Sequence, residues 1–396
     1  MLRIAHVTDN YLPRLGGIET HVHDLTGYQR AAGHHVDVLT IIPESADVAP
    51  ASGPDPVTDS AAGGRIIRFP TRTPIGVMRA GNRLFDPRHL APGMLEQYDI
   101  VHVHISMISP FGATAASSAS RAGLPTVITV HSMWPAPGFR WADLAVGHRR
   151  WPVVWSAVSE AAAEPIRRAL GPGRSVRVLP NAVDTSAWQL PESPRPDGDV
   201  TIVTAMRLAP RKRPMPLLSM LRRVHRAAPS GIRVRAVLVG DGPQRPAMER
   251  YIDRHHMADW VELPGRVARD DVRRILGRSD VYVSPARLES FGIAALEARC
   301  AGLPVVGYAS SGVSEFVTHG RDGLLASSDA EIVRALSLLV ARPDLRLAVH
   351  HHNRMTLPPF SWQEALVRTH DAYAEARLQA GVITMPEVSS SQVGTP

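Results

Sequence analysis

Residues 289–297 read Glu-Ser-Phe-Gly-Ile-Ala-Ala-Leu-Glu, with a carboxylate at each end. An apolar strand, Asp280-Val-Tyr-Val-Ser284, leads into them, and a helix of small residues carries the chain on to Ala301-Gly302. Strand, turn and helix in that order form the repeating unit of a parallel α/β sheet. The first N–H groups of such a helix have no intrahelical partners. At the carboxyl end of a strand they make a phosphate site. Glu289 precedes the helix in the loop, and Glu297 lies about two turns into it, facing the same crevice. Across the phosphates, one carboxylate can accept hydroxyls from a sugar while the other accepts those of a ribose. That arrangement fits a nucleotide-sugar.

Working outward, strands of four to six apolar residues alternate with helical stretches, which predicts doubly wound parallel sheets. One such strand, Val200-Thr-Ile-Val-Thr-Ala205, runs into Met206-Arg-Leu-Ala-Pro-Arg-Lys-Arg213. Among 44 Lys plus Arg the chain holds a single lysine, Lys212. A compact ammonium and a planar guanidinium are not interchangeable, so the one place that keeps a lysine asks for a reason. Arg207 and Lys212 stand at the mouth of a strand-to-helix turn, where they would neutralise a diphosphate.

Further segments recur in a fixed order: Pro13-Arg-Leu-Gly-Gly-Ile-Glu19, Asp99-Ile-Val-His-Val-His104, Pro125-Thr-Val-Ile-Thr-Val-His131, Pro180-Asn-Ala-Val-Asp184 and Val239-Gly-Asp-Gly-Pro243. With the two carboxylates and the lone lysine, they resemble the retaining nucleotide-sugar glycosyltransferases of family four, from residue 3 to about residue 375. Two positions depart from the family pattern. Its paired glycine near the last nucleotide loop reads Ser311-Gly312, and the serine after Pro285 reads Ala286.

The resemblance implies the GT-B fold, an α/β architecture of two Rossmann-like doubly wound domains with an interdomain cleft. Residues 1–185 would form the acceptor-binding domain and 200–361 the nucleotide-sugar-binding domain, joined by a Pro-rich linker over 186–199. A helix over 362–380 would cross back onto the first domain, and 381–396 would be a disordered tail. Residues Glu44 to Gly64, rich in Ala, Pro, Gly and Asp, read as a mobile loop.

It also implies roles for residues. Gly16 and Gly17 would let backbone approach the diphosphate or the acceptor; Glu19 and His21, next on the helix, read as structural. His131, ending an apolar strand, would contact the donor sugar. Ser290, Phe291, Gly292 and Ile293 would hold the diphosphate and sugar, with backbone N–H groups at Phe291 and Gly292. Glu297 would take the ribose, and Gly265, Arg266 and Val267 would meet the base through their backbone. Such contacts do not separate uridine from guanosine. Arg207 and Lys212 would stabilise charge on the departing diphosphate. Glu289 would orient a donor hydroxyl rather than act as a nucleophile, and a front-face mechanism, with the leaving phosphate taking the acceptor's proton, needs no enzymic base.

No cofactor and no metal are expected. The one Asp-x-Asp, Asp197-Gly-Asp199, falls in the linker, and His102 with His104 lacks a third ligand of suitable spacing. His350-His351-His352 reads as inert. The single cysteine, Cys300, excludes an intrachain disulfide and reads as a small buried side chain. No run approaches the ~18 apolar residues of a membrane span, and Met1-Leu-Arg3 leads into a strand rather than a signal peptide. The expected compartment is cytoplasmic, or peripheral at the inner face of the plasma membrane. A net charge of +7 suits an anionic partner. With no nucleic-acid module in the chain, the charge reads either as ordinary solvated basic faces or as contact with an anionic membrane surface, through Arg65–Arg72, Arg79, Arg83 and Arg88 or through Arg140–Trp151. The acceptor is some hydroxyl on a lipid, a cell-envelope glycan or a small molecule. Rival readings are a GT-B epimerase, which should show paired acid and base side chains, and a non-catalytic binding subunit on the same fold.

Overall fold

The computed structural model describes residues 1–13, 16–41, 57–61, 63–69, 71–72, 84–85, 90, 93–106, 109–133, 151–190 and 198–382. Two large sheets organise them, beside a two-stranded antiparallel ribbon of Thr71–Arg72 and Leu84–Phe85. The first runs, edge to edge, Val176–Val178, Val154–Ala157, Thr126–Val130, Ile100–Ile105, Arg3–Thr8, His35–Thr40, Gly64–Arg68 and Val57–Ala61. All neighbours are parallel except the last pair. The second runs Val261–Gly265, Arg233–Val239, Asp199–Ala205, Val281–Val283, Val305–Tyr308 and Gly323–Ala326, parallel throughout.

Both faces of these strands are covered, and in the first sheet one face also carries buried His6, His102, His104, Thr129 and Ser156. One face of the first sheet, with Val7, Val101, Val103, Ile128 and Val130, packs on Phe111, Ala115 and Ala119 of the helix Pro110–Arg121 and on Ala162 and Ile166 of the helix Glu160–Leu170. The other face, with Ile4, Ile100, Val127 and Val154, meets Ala372, Tyr373 and Ala376 of the last helix, Trp362–Gln379. That helix starts at a capping box in which Ser361 and Glu364 each satisfy the other's backbone N–H. Trp362 at its start stacks on Tyr28 and His21 of the helix Gly17–Ala31, with ring centroids 5.0 and 5.5 Å apart. The last described helix therefore returns to the sheet with which the chain began.

In each sheet the strand order reverses at one place. There two neighbouring strands send their following loops in opposite directions and leave a crevice between them. In the second sheet the reversal separates Asp199–Ala205 from Val281–Val283, so the crevice lies between loops 206–213 and 284–292. In the first it separates Arg3–Thr8 from Ile100–Ile105. The two crevices face each other. A Cβ on Gly17, which opens the first helix, would lie 3.8 Å from Ile293 Cδ1, which opens the helix Ile293–Cys300. The Ser290 hydroxyl donates to the His131 carbonyl at 2.7 Å. The Glu315 carboxylate accepts the Glu160 N–H at 2.6 Å, so one lobe caps a helix of the other.

Three expectations change. The stretch Glu44 to Gly64 holds a strand, Val57–Ala61, turned back at Gly63 against Gly64–Arg68; its small polar residues gave no apolar alternation to read. Glu297 stands one turn into its helix rather than two, because helical backbone begins only at Ile293. Arg65 and Arg68 do not present a bare basic face. Arg65 pairs with buried Asp37 at 2.6 Å, and Arg68 pairs with Asp59 at 3.1 Å and donates to the Leu12 carbonyl. Arg79, Arg83, Arg88, Arg140, Arg149 and Arg150, Asp197 and the tail beyond Val382 lie outside the described residues.

Candidate active site

Loop 206–213 is held by close backbone contact. Gly240, at φ +125°, approaches so near that a Cβ there would fall 1.9 Å from the Met206 carbonyl oxygen. Only glycine tolerates both that φ and that distance. Met206 N–H donates to the Val239 carbonyl at 3.0 Å and Leu208 N–H to that of Asp241 at 2.9 Å. Arg207, between these two anchors, points its side chain outward and exposed, with no ion pair among the described residues. Arg213, in the left-handed region at φ 59°, ties the far end of the loop down. Its guanidinium donates to Tyr308 Oη at 2.7 Å and to Asp329 at 2.6 Å, and Arg287 and Tyr308 converge on the same carboxylate.

Lys212 is thereby brought to Glu289, and the two form an ion pair across the crevice. Next to Glu289, the amides of Phe291 and Gly292 donate to no acceptor among the described residues. A cation and two open N–H groups before a helix start make an anion site. The carboxylate beside them supplies an acceptor for hydroxyls. The two departures from the family pattern are accommodated. Ser311 keeps an ordinary φ of −105°, and its hydroxyl donates to the Tyr308 carbonyl at 2.7 Å. Gly312 could not change in the same way, since a Cβ there would sit 2.2 Å from the Ser290 carbonyl oxygen. Ala286 is simply buried.

Glu297 is the second enclosed carboxylate. Burial pushes its pKa up to about 7, against the pull of Arg269. Arg269 bridges it at 3.5 Å to Asp24 of the first lobe at 3.4 Å, lying over the Trp188 ring. Gly265, at φ +79°, ends its strand with its carbonyl accepting from Gly240 N–H; Arg266 follows exposed and Val267 half-buried. Gly16 is extended and precedes the first helix, whose second turn carries buried His21. Cys300 is buried, and its thiol is pushed up to about 12, which leaves it inert.

His131 sits at the lobe boundary through its carbonyl, but its ring turns into the first lobe. Its Nε2 lies 2.9 Å from His104 Nδ1. His104 Nε2 meets His6 Nδ1 at 2.8 Å, and His6 Nε2 meets Gln29 Oε1 at 2.7 Å. His6 is the third histidine that spacing in one segment could not supply; the parallel register sets it directly beside His102. His6, His102 and His104 are the one group with metal-ligand spacing among the described residues, within 4.8 Å of one another. Each of their ring nitrogens already has a protein partner, so the cluster is built as a hydrogen-bond network. Sequence reading also missed Asp24, Arg269 and Arg213, whose partners lie far away along the chain. It missed Asp9 too, which accepts the Phe111 and Gly112 amides and so caps the helix Pro110–Arg121.

Among known proteins, the description "Glycosyltransferase Family 4" matches residues 15–187 and "Glycosyl transferases group 1" matches residues 188–354. The chain is 29% identical over 388 residues to a phosphatidylinositol N-acetylglucosaminyltransferase subunit of Arabidopsis thaliana, covering 95% of this chain and 82% of that one. It is 29% identical over 349 residues to the GDP-mannose-dependent alpha-(1-6)-phosphatidylinositol monomannoside mannosyltransferase of Mycobacterium tuberculosis, covering 82% and 85%. Among solved structures, Anabaena Alr3699/HepE in complex with UDP and glucose superposes with a TM-score of 0.70 at 16% identity, covering 94% of this chain and 100% of that one.

Proposed function

The chain belongs to the group 1 glycosyltransferases with the GT-B fold, and on that premise we propose that it is a retaining, metal-independent hexosyltransferase. In this reading a hexose passes from a UDP- or GDP-linked donor to an acceptor hydroxyl. The observation that carries it is the Lys212–Glu289 pair beside the open Phe291 and Gly292 amides, at the reversal point of the second sheet. Arg207 and Lys212 supply the positive charge that a metal would otherwise bring to the departing diphosphate. A donor displaces the ion pair. Lys212 then serves phosphate oxygens, and Glu289 turns to a sugar hydroxyl. Glu297 takes the ribose, the backbone of Gly265, Arg266 and Val267 meets the base, and His131 faces the sugar. The leaving phosphate receives the acceptor's proton on the same face.

Residues 1–185 bind the acceptor and 200–361 the donor in this reading. Relatives named for phosphatidylinositol substrates make an inositol lipid the acceptor to try first, with the protein peripheral at an anionic membrane. No helix among the described residues is long and apolar enough to cross one. The test is a panel of UDP- and GDP-sugars, scored by thermal shift and by slow hydrolysis in the presence of chelator. One donor should stabilise the protein without divalent cation. That donor should then be consumed faster with inositol-lipid vesicles than with a soluble glucan. Stabilisation only when a divalent cation is added would overturn the metal-independent assignment.

A further inference from the structure

The buried polar network of the first lobe has a direction, and one backbone oxygen sets it. The Ile128 carbonyl can only accept, and Ser156 Oγ lies 3.1 Å from it. A serine has one hydroxyl hydrogen, so with that hydrogen on Ile128, Ser156 must accept from Thr129 Oγ1 at 2.7 Å. Thr129 must then accept from His102 Nε2 at 2.7 Å, which leaves His102 Nδ1 bare. Tyr373 Oη donates to that nitrogen at 2.9 Å, and so receives the Gln29 amide N–H at 3.0 Å. Gln29 is now oriented, its oxygen facing His6 Nε2–H. His6 Nδ1 is an acceptor, and His104 Nε2 donates to it. His104 Nδ1 accepts in turn from His131 Nε2–H.

Every ring in this series is neutral, because burial holds each imidazole below its ordinary range: His6 at about 4, His131 at about 3, and His102 and His104 well below the usual value. A neutral imidazole carries one N–H, so the series leaves no freedom at its end. His131 Nδ1 has no partner among the described residues, and its own backbone is the part of the first lobe that Ser290 touches.

We propose that Tyr373, Gln29, His6 and His104 act as positioning residues that lock His131 in its Nε2–H tautomer. Its Nδ1 lone pair is thereby presented to a donor-sugar hydroxyl. The role of this end group rests on the reading above that His131 faces the sugar. The consequence is selective: the site accepts a hydrogen bond from the sugar and cannot donate one. The last helix takes part because its tyrosine orients the glutamine.

The test uses the full chain, labelled with 15N on histidine, with His131 signals assigned by their loss in His131→Asn. In the unmodified protein His131 should carry its proton on Nε2 alone. Gln29→Leu should give a mixture of tautomers. It should also erase a roughly tenfold preference, the worth of one hydrogen bond, for an intact donor sugar over the deoxy analogue lacking the contacted hydroxyl. Gln29→Glu, which still accepts from His6, should keep both. Should Gln29→Leu fail to fold, Tyr373→Phe, which frees the Gln29 amide to turn over, gives the same comparison. A proton on Nδ1 in the unmodified protein, or an unaltered tautomer in these variants, overturns the proposal. An unaltered deoxy-sugar preference in His131→Asn overturns the donor contact itself, whatever the tautomer.

Discussion

Lys212 owes its place to its shape as much as to its charge. It meets Glu289 from a tight turn fixed at Gly240 and Arg213, and a point charge on a flexible stem can turn from carboxylate to phosphate. Lys212→Ala should lower kcat about a hundredfold, in line with the loss of one preorganised charge in a water-poor site. Lys212→Arg should recover little of it, because a planar fork needs a different approach. Steady-state rates for the two variants decide this. Glu297 makes a separate prediction through its protons. Burial raises its pKa to about 7 when folded, against 4.5 as an ordinary glutamate. Between those values the folded chain holds a proton that the unfolded chain has released. The stability contributed by this group therefore falls as pH rises from 4.5 and levels off above 7. If the ionised carboxylate accepts ribose hydroxyls, donor affinity climbs as pH passes 7. Glu297→Gln should flatten both curves, and a donor Kd that ignores pH in the unmodified protein would remove Glu297 from the ribose.

At the level of elements, strands and their following turns were legible wherever the local pattern is also the global one. Apolar runs of parallel strands, glycines at crossing turns and the serine before a helix all act over a few residues. Asp280 through Glu297 showed its strand, turn and helix in this way. What could not be read was pairing between distant segments. Nothing near Arg269 announces Asp24, and nothing near Tyr373 announces Gln29, since each contact exists only once the lobes and the last helix have docked. The strand Val57–Ala61 was missed for the opposite reason: its pairing is local but its residues are polar at the sheet edge. Gly312 is a place where an element-level rule makes a sharp forecast. Gly312→Ala would press a methyl group into the Ser290 carbonyl, shifting the loop that carries the open amides. We expect a loss of about 1–3 kcal/mol of stability, as for other overpacked sites. Donor KM should rise with it, while Ser311→Gly changes either by much less. Denaturant unfolding and donor titration together report the two effects.

For the molecule as a whole, the lobes share a buried apolar cluster, with Val158 and Val183 of the first beside Phe291, Leu296 and Phe316 of the second, and polar contacts stand around the crevice. Arg269 reaches an acidic partner in each lobe. Because it is partly exposed, its worth lies in geometry more than in binding strength. Arg269→Ala should leave the thermal midpoint within a few degrees while increasing the radius of gyration of the free protein. Small-angle scattering with and without donor tests this; an unchanged radius in both states would show that the bridge does not govern closure.

The Glu315 carboxylate that receives the Glu160 amide gives the protein an internal stopwatch. When the halves part, that amide loses this acceptor and meets water. Its deuterium uptake therefore counts how often the enzyme gapes, at one peptide position and without any attached probe. A bound substrate that clamps the halves should slow that single clock before it slows the amides buried in either sheet.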